Sequence, residues 1–312
     1  MTVKSTLSVV TGTYNEESNI EIYYERLVST LESLDIDGYE IIVADNMSTD
    51  NTQNVLRKLA AKNKRFKVIL NSRNFGATRS GFNAFLQASG DAVILMSSDL
   101  QDPPEMIRIF HDEWINGSKV ILAQKVSSDE GFGLFYIRKL YYKVLDALSS
   151  NTVEIPRNCT GFGLYDKAVV SEMKKLHDPA PYMPALIAEV GFKKTFVPFS
   201  QPKRLRGRSK HSLFTLYDLG INSIVNYSRL PIRINVFVGL FLMALSILLL
   251  ISILIIARLT FWHKLIFVIQ VFLLTLISYI IFSVGILGEY VVTTLVNVRR
   301  RPLSIVEEMI NF

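Results

Sequence analysis

The chain has 312 residues, 49% of them hydrophobic and 20% charged, with a formal net charge of +6. That length accommodates one or two domains with apolar surface to spare. The positive balance suits nucleic acid, anionic lipid or phosphorylated small molecules. No nucleic-acid-binding motif is present, which leaves the last two. A single cysteine, Cys159, excludes an intrachain disulfide and fits a cytoplasmic domain.

In chain order, the N-terminal run "LSVVTGTY" is too short for a signal-peptide core and lacks a cleavage site. "TLSVVT", "YEIIVA", "FKVIL", "DAVILM" and "KVILA" are β-rich and bounded by polar or turn residues, so they are predicted strands. Between the first two, Ile20, Tyr23, Tyr24, Leu27, Leu31 and Leu34 recur at steps of three and four, a helical stripe. "STDNT" at 48–52 and "DPPEMIRIFHDEW" from Asp102 carry helix-start residues. The alternation predicts an α/β layer fold with a mostly parallel sheet. Ligands of such sheets bind beyond the carboxyl ends of the strands, so Tyr14, Asp45 and Asp99 can converge on one cleft.

Residues 128–135 read as a glycine-rich loop and "QPKRLRGRSKH" as a basic one. Residues 211–231 follow as an amphipathic helix, lying either in the membrane interface or on the soluble domain. The runs 234–257 and 265–288 carry no charge. Each exceeds the roughly 20 residues a bilayer crossing needs, and two transmembrane helices are the expectation rather than two buried core helices. The short connector "RLTFWHK" makes them a hairpin. Arg229, Arg233, Arg299, Arg300 and Arg301 flank one side against Arg258 and Lys264 on the other, which places both termini in the cytoplasm.

The predicted cleft offers oxygen and amide groups for a cation or sugar in Asp45, Asn46, Asp99, Gln101 and Asp102. It offers cations for phosphate in Arg73, Lys125, Arg204, Arg206, Arg208 and Lys210. Magnesium commonly takes one or two carboxylates plus phosphates and waters. No His/Cys cluster suggests zinc, and neither a Ser-His-Asp grouping nor a glycine-rich phosphate loop is visible.

"YNEE" at 14–17, Asp45 followed by "STD", "RNFG" at 73–76 and "DLQDPPE" at 99–105 together resemble family 2 glycosyltransferases. More closely, the chain resembles the polyprenyl-phosphate glycosyltransferases, the group of dolichyl-phosphate mannose synthases and GtrB-like enzymes. The likeness runs nearly end to end, through "VGFKKTFVPF", "RLRGRSK", "LPIRI", the hairpin, "GEY" and "RPL". It implies a GT-A domain over 1–210, the interfacial helix, a membrane segment over 232–290 and a cytoplasmic tail over 291–312. The implied activity is inverting transfer of a sugar from a nucleotide-sugar to a polyprenyl phosphate such as undecaprenyl phosphate. It would take place at the inner face of the plasma membrane, with Mg2+ or Mn2+, for envelope glycan or lipopolysaccharide modification.

By the same resemblance Tyr14, Glu16, Asp45, Asn46, Ser97, Ser98 and Asp99 would contact the donor. Asp99 and Gln101 would bind the cation, and Arg73, Arg204, Arg206 and Lys210 would hold the acceptor phosphate. Asp99, Lys125, Arg204 and Lys210 form the catalytic set. Assembly stays open, since the hairpin and the tail are surfaces through which such chains can form homo-oligomers.

The chain departs from the family pattern where it matters. Ser97 replaces the first aspartate of Asp-x-Asp, and Asn46-Met47 stands for Asp-Gly. Gly161 and Gly163 stand where relatives have Asp and Arg, Ala77 where Lys or His is common, Lys125 where Arg is common, and Gly12 for Pro. Two readings follow: an active transferase with a modified donor pocket, or a membrane-anchored relative that binds nucleotide-sugar, lipid phosphate or a partner protein without transfer. The retained Tyr14, Glu16, Asp45, Asp99, Gln101, Arg204 and Lys210 favour the first. A polysaccharide synthase is disfavoured by the absence of Gln-x-x-Arg-Trp.

Overall fold

The alternation of β-branched runs with amphipathic stripes becomes a mixed, mostly parallel sheet covered by helices on both faces. The computed structural model describes residues 5–127, 156, 158–179, 181–202, 230–256, 262–299 and 301–312. They fall into two units, one holding the sheet and residues 301–312, the other holding residues 230–299.

In the first unit the elements run β1 (Thr6–Thr13), α1 (Ile20–Glu32), β2 (Gly38–Asp45), α2 (Thr52–Lys62), β3 (Phe66–Asn71), α3 (Ala77–Leu86), β4 (Ala92–Leu95), α4 (Met106–Ile115) and β5 (Val120–Ser127). After them come β6 (Gly163–Asp166), α5 (Lys167–Leu176), α6 (Met183–Glu189), β7 (Lys194–Ser200) and the C-terminal β8 (Val306–Ile310). The strand order is β7-β5-β6-β4-β1-β2-β3-β8. β1 pairs parallel with β2 and β4, β2 with β3, and β5 with β7. Antiparallel β6 lies between β4 and β5, and antiparallel β8 closes the β3 edge.

Side chains alternate across a strand, so each buried strand feeds two cores. Leu7, Val9, Ile41, Val43, Val68 and Ile94 pack with Tyr23, Leu27 and Leu31 of α1, Leu56 of α2 and Phe110 of α4. Val10, Ile42, Ala44, Ile69 and Val93 pack with Phe82 and Phe85 of α3 and Val169 of α5. Burial on both faces explains why these strands read as continuous apolar runs. At the edge opposite the strand carboxyl ends, Glu40 accepts from Ser8 Oγ (2.5 Å) and Ser89 N (2.7 Å), and Lys67 Nζ lies 2.6 Å from its Oε2.

The C-terminal segment differs from its expectation as a tail. It returns to the sheet as β8, with Asn71 opposite Val306 and Val68 opposite Ile310. Asn311 Nδ2 donates to Ala60 O (2.7 Å) and Phe66 O (2.9 Å), and Arg57 Nη1 lies 2.6 Å from Glu308. Charged side chains blunt a sheet edge, and the adjacent Glu307 and Glu308 break the apolar pattern of "VEEMI" so that it does not read as a strand.

The second unit contains α7 (Leu230–Ile256) and α8 (Trp262–Arg299). α7 covers 234–256 of the first expected span, and α8 covers 265–288 and runs on to Arg299. Phe272–Arg299 is long and apolar enough to cross a membrane, and none of its most apolar window is buried. Phe237 and Phe241 of α7 and Ile281 of α8 are exposed, at 71%, 67% and 67%. Tyr279 Oη donates to Asn235 O, and Ser283 Oγ donates to Asn235 Oδ1 at 3.0 Å. The interfacial helix expected over 211–231 lies almost wholly outside the described residues.

Candidate active site at the carboxyl edge of the sheet

The strands β1, β2, β3, β4, β5 and β7 all end at one edge, and antiparallel β6 begins there. Loops at that edge hold Asn15, Met47, Leu100 and Asn158 at φ of 54°, 62°, 63° and 57°. Left-handed backbone is costly for residues with a side chain, and such strain concentrates at functional loops. Met47 sits where the family pattern has glycine, the residue that adopts this φ without penalty.

The loops after β1 and β2 are laced together. Asn15 N donates to Ser48 Oγ (2.9 Å) and Thr49 N to Asn15 Oδ1 (2.7 Å). Glu16 N donates to Thr52 Oγ1 (2.9 Å), and Asn51 N to Glu17 Oε2 (2.9 Å). The "YNEE" and "STDNT" motifs are thus two halves of one hydrogen-bonded frame. Tyr14 is half-buried at its start, and buried Glu16 accepts from Asn19 Nδ2 at 2.7 Å. Asp45 is fully buried: it accepts from Ser48 N (2.9 Å), Ser48 Oγ and Gln53 Nε2 (2.8 Å). These bonds make Asp45 the anchor of the frame.

Asn46 bridges to the next loop. Its Nδ2 donates to Asn74 Oδ1 (2.8 Å) and its Oδ1 accepts from Phe75 N (2.9 Å), while Asn74 Oδ1 also accepts from Gly76 N (2.9 Å). An amide does this because it donates and accepts at once, which a carboxylate cannot. Asn46 therefore fixes "RNFG". Arg73 is exposed, with its guanidinium stacked 3.9 Å over the Phe75 ring and Nη1 on Asn74 O (3.0 Å).

The loop after β4 gathers the carboxylates. Ser97 N donates to Asp102 Oδ2 (2.8 Å), and Ser97 Oγ lies 2.7 Å from the same oxygen and 2.9 Å from Asp99 Oδ1. Gln101 meets Asp99 Oδ1 through its backbone N–H (3.1 Å), and Ser98 Oγ donates to Gly12 O (3.1 Å) at the end of β1. Asp99 and Asp102 are both buried. Burial pushes the Asp102 carboxyl above the ordinary carboxylate range. The Asp99 charge adds to this, while the Ser97 bonds and the Lys125 charge oppose it. Lys125, from the end of β5, thus lies within electrostatic reach of Asp102.

Among the described residues no group of three or more His, Cys, Asp or Glu side chains could hold a metal ion. Asp99 and Asp102, linked by Ser97, are a two-carboxylate, all-oxygen set, and a cation relieves the charge that burial concentrates there. That is the donor chemistry magnesium and manganese take when phosphates and waters complete the shell. Asp102 is a second carboxylate beside Asp99, in addition to the Gln101 side chain expected from the family pattern.

The glycines after position 160 have a backbone reason. A Cβ at Gly163 would lie 2.1 Å from Ile121 O, and at Gly161, at φ 99°, 2.9 Å from Met183 Cβ. The close approach of β6 to β5 fixes Gly163, and a positive φ beside Met183 of α6 fixes Gly161. Buried Cys159 beside them is no nucleophile, since burial pushes its thiol up to about 12 against the lowering charge of Lys125. The expected phosphate-holding residues Arg204, Arg206 and Lys210 lie outside the described residues. Sequence reasoning missed Gln53, Asn74 and the framing role of Ser48 and Thr52, whose only signal was their position inside motifs.

The profile of glycosyl transferase family 2 matches residues 8–173, which spans the site. An uncharacterized glycosyltransferase of Synechocystis sp. is 33% identical over 97% of this chain and 95% of its own length. The SfII prophage-derived bactoprenol glucosyl transferase of Shigella flexneri is 28% identical over 97% of each chain. A solved structure, the mannosyltransferase PcManGT from Pyrobaculum calidifontis in complex with GDP-Man and Mn2+, shares 14% identity over 95% of this chain and 88% of that one. Its TM-score is 0.47. The chain belongs to glycosyltransferase family 2.

Proposed function

We propose that the protein transfers a sugar from a nucleotide-sugar to a membrane polyprenyl phosphate, with inversion at the anomeric carbon. One observation carries this reading. The carboxylates and Lys125 gather at the carboxyl edge of a nucleotide-sugar transferase sheet, and the same chain extends into long apolar helices and returns to that sheet as β8. The return supports an even number of membrane crossings, hence a hairpin with both ends on the side of the catalytic domain. Similarity to bactoprenol glucosyl transferases over nearly the full length supports the lipid acceptor.

The chemistry is an in-line exchange. An acceptor phosphate oxygen bonds to the anomeric carbon as the bond to the donor diphosphate breaks, and the nucleoside diphosphate leaves with the electron pair. A lipid monophosphate has a second pKa near 6, so it attacks mostly as the dianion without a general base. The frame built on Asp45, Glu16 and Asn46 positions the nucleotide, and Tyr14 lines its entrance. Asp99 and Asp102 would hold Mg2+ or Mn2+, which when bound supplies charge neutralisation for the departing diphosphate. Lys125 adds positive charge beside that group, and Arg204, Arg206 and Lys210 grip the acceptor phosphate. Arg73 is left out of the acceptor set because its charge lies with Arg79 and Arg301.

The test is product formation by the full-length protein in vesicles with undecaprenyl phosphate and a panel of nucleotide-sugars. The expected product is a lipid-phosphate sugar whose anomeric configuration is opposite to the donor's. Retained configuration, or transfer only to soluble acceptors, contradicts the reading.

A further inference from the structure

Arg79 anchors the segment that leads into β8, and two further guanidinium groups lie within electrostatic reach of it. Arg79, on the first turn of α3, donates from Nη2 to Pro302 O at 2.8 Å. That bond brings the next residue back along the chain, Arg301, to the same place. Ser72 N holds Ile305 O at 3.0 Å just beyond, and Arg73 projects from the loop between. Burial lowers the Arg79 pKa, and so do the charges of Arg73 and Arg301, which places both within electrostatic reach of Arg79. Among the described residues no carboxylate forms an ion pair with any of the three.

Two buried polar atoms of Arg79 and of the segment after Arg301 lack a partner among the described residues. Arg79 Nε and Ser304 Oγ are buried with no hydrogen bond among the described residues, and Ser304 is only 7% exposed. Buried donors without partners are rare in folded proteins, and each calls for a ligand or water. The first turn of α3 adds backbone N–H groups with no side-chain cap. Like charges gathered at a helix start, with unspent donors, are the recognition chemistry of a phosphate group.

We propose that Arg79, Arg301 and Ser304, with Arg73 at the rim, form a binding site for a phosphate group, separate from the carboxylate cleft, that takes the headgroup of an anionic bilayer lipid. Arg301 follows the last residue of α8, Arg299, by two positions, so chain connectivity keeps the cluster on a short tether to a membrane-spanning α8. The lipid source rests on the membrane reading under Proposed function; the phosphate chemistry does not. An occupied site would fix the segment 301–305 against the "RNFG" loop and so tie the membrane surface to the frame that Asn46 holds.

The experiment is hydrogen exchange on the full-length protein in three settings at equal ionic strength. These are phosphatidylcholine nanodiscs, the same discs containing phosphatidylglycerol, and phosphatidylcholine discs with added inorganic phosphate. Peptides covering 71–80 and 301–306 should exchange about tenfold more slowly when the ligand stands at ten times its Kd. Slowing with phosphatidylglycerol alone supports the lipid source. Slowing with inorganic phosphate supports the site with a soluble phosphate as ligand. Arg79→Gln also breaks the Pro302 anchor, so the deciding variant is Arg301→Gln, which removes a charge without removing an observed hydrogen bond. Equal exchange in all three settings, or a full effect retained in Arg301→Gln, overturns the proposal. Sugar transfer is read separately, so either result stands without the other.

Discussion

Ser97 holds Asp102 twice, through its amide at 2.8 Å and its hydroxyl at 2.7 Å from the same carboxylate oxygen. The position that carries a carboxylate in the family pattern is here a link between two others. Ser97→Ala removes the hydroxyl contacts and keeps the amide bond. The expected cost is about 1 kcal/mol of stability and less than about tenfold in kcat. Thermal unfolding and initial rates read both. A loss as large as that of Asp99→Asn would make Ser97 a direct ligand instead.

Asn46→Asp restores the family residue and should loosen "RNFG". The new carboxylate oxygen would face Asn74 Oδ1, two acceptors with no proton between them. The expected effect is about 1–3 kcal/mol of local stability, seen as faster hydrogen exchange at Phe75 and Gly76 and a raised donor KM. Unchanged exchange at those amides would remove Asn46 from the frame.

Gly163→Ala should be severe because the added methyl meets the Ile121 carbonyl at 2.1 Å. The expected loss is about 3 kcal/mol or more, in the range of steric changes within a packed core. Gly38→Ala is the control, since the nearest atom to its new methyl is Thr6 Cγ2 at 3.9 Å. Chemical denaturation should separate the two clearly. Similar midpoints would mean that β5 and β6 are not this close.

The acid limb of stability should depend on Glu40. Burial alone would raise its pKa, but the bonds from Lys67, Ser8 and Ser89 outweigh burial and hold it below its ordinary 4.5. A depressed carboxylate stabilises the fold above its unfolded pKa and loses that contribution as pH falls through the folded value. Glu40→Gln should therefore cost about 2 kcal/mol near neutral pH, with the gap to wild type closing below 4.5. A gap that widens on acidification would contradict the sign.

Truncation after Arg301 should expose the β3 edge. It removes β8, the Asn311 bonds to Ala60 and Phe66 and the Arg57–Glu308 pair. An open edge strand invites pairing between copies. The expected result is a lower unfolding midpoint and concentration-dependent aggregation. A truncated chain as stable and monodisperse as the parent would show β8 to be dispensable.

The central strands were legible because each is buried on both faces and reads as an unbroken apolar run. β6 and β8 were not: β6 is four residues beginning at a glycine, and β8 is a five-residue edge strand interrupted by two adjacent glutamates. Asp99 stood out in the sequence because it lies where a buried strand ends, with Gln101 and Asp102 close behind. The roles of Asp45 and Asn46 were not legible, since they depend on Gln53 and Asn74, which only the folded loops bring to them. Gly163 looked like a lost arginine in one dimension and is a backbone contact in three.

The most direct measurement compares wild type and Asp99→Asn in vesicles containing undecaprenyl phosphate, with labelled nucleotide-sugars and Mg2+ or Mn2+. The account predicts a labelled lipid-phosphate sugar from at least one donor in wild type. It predicts about a hundredfold or greater loss in the variant, with folding intact by thermal unfolding. No lipid-linked product from any donor, or equal turnover by both proteins, would contradict it.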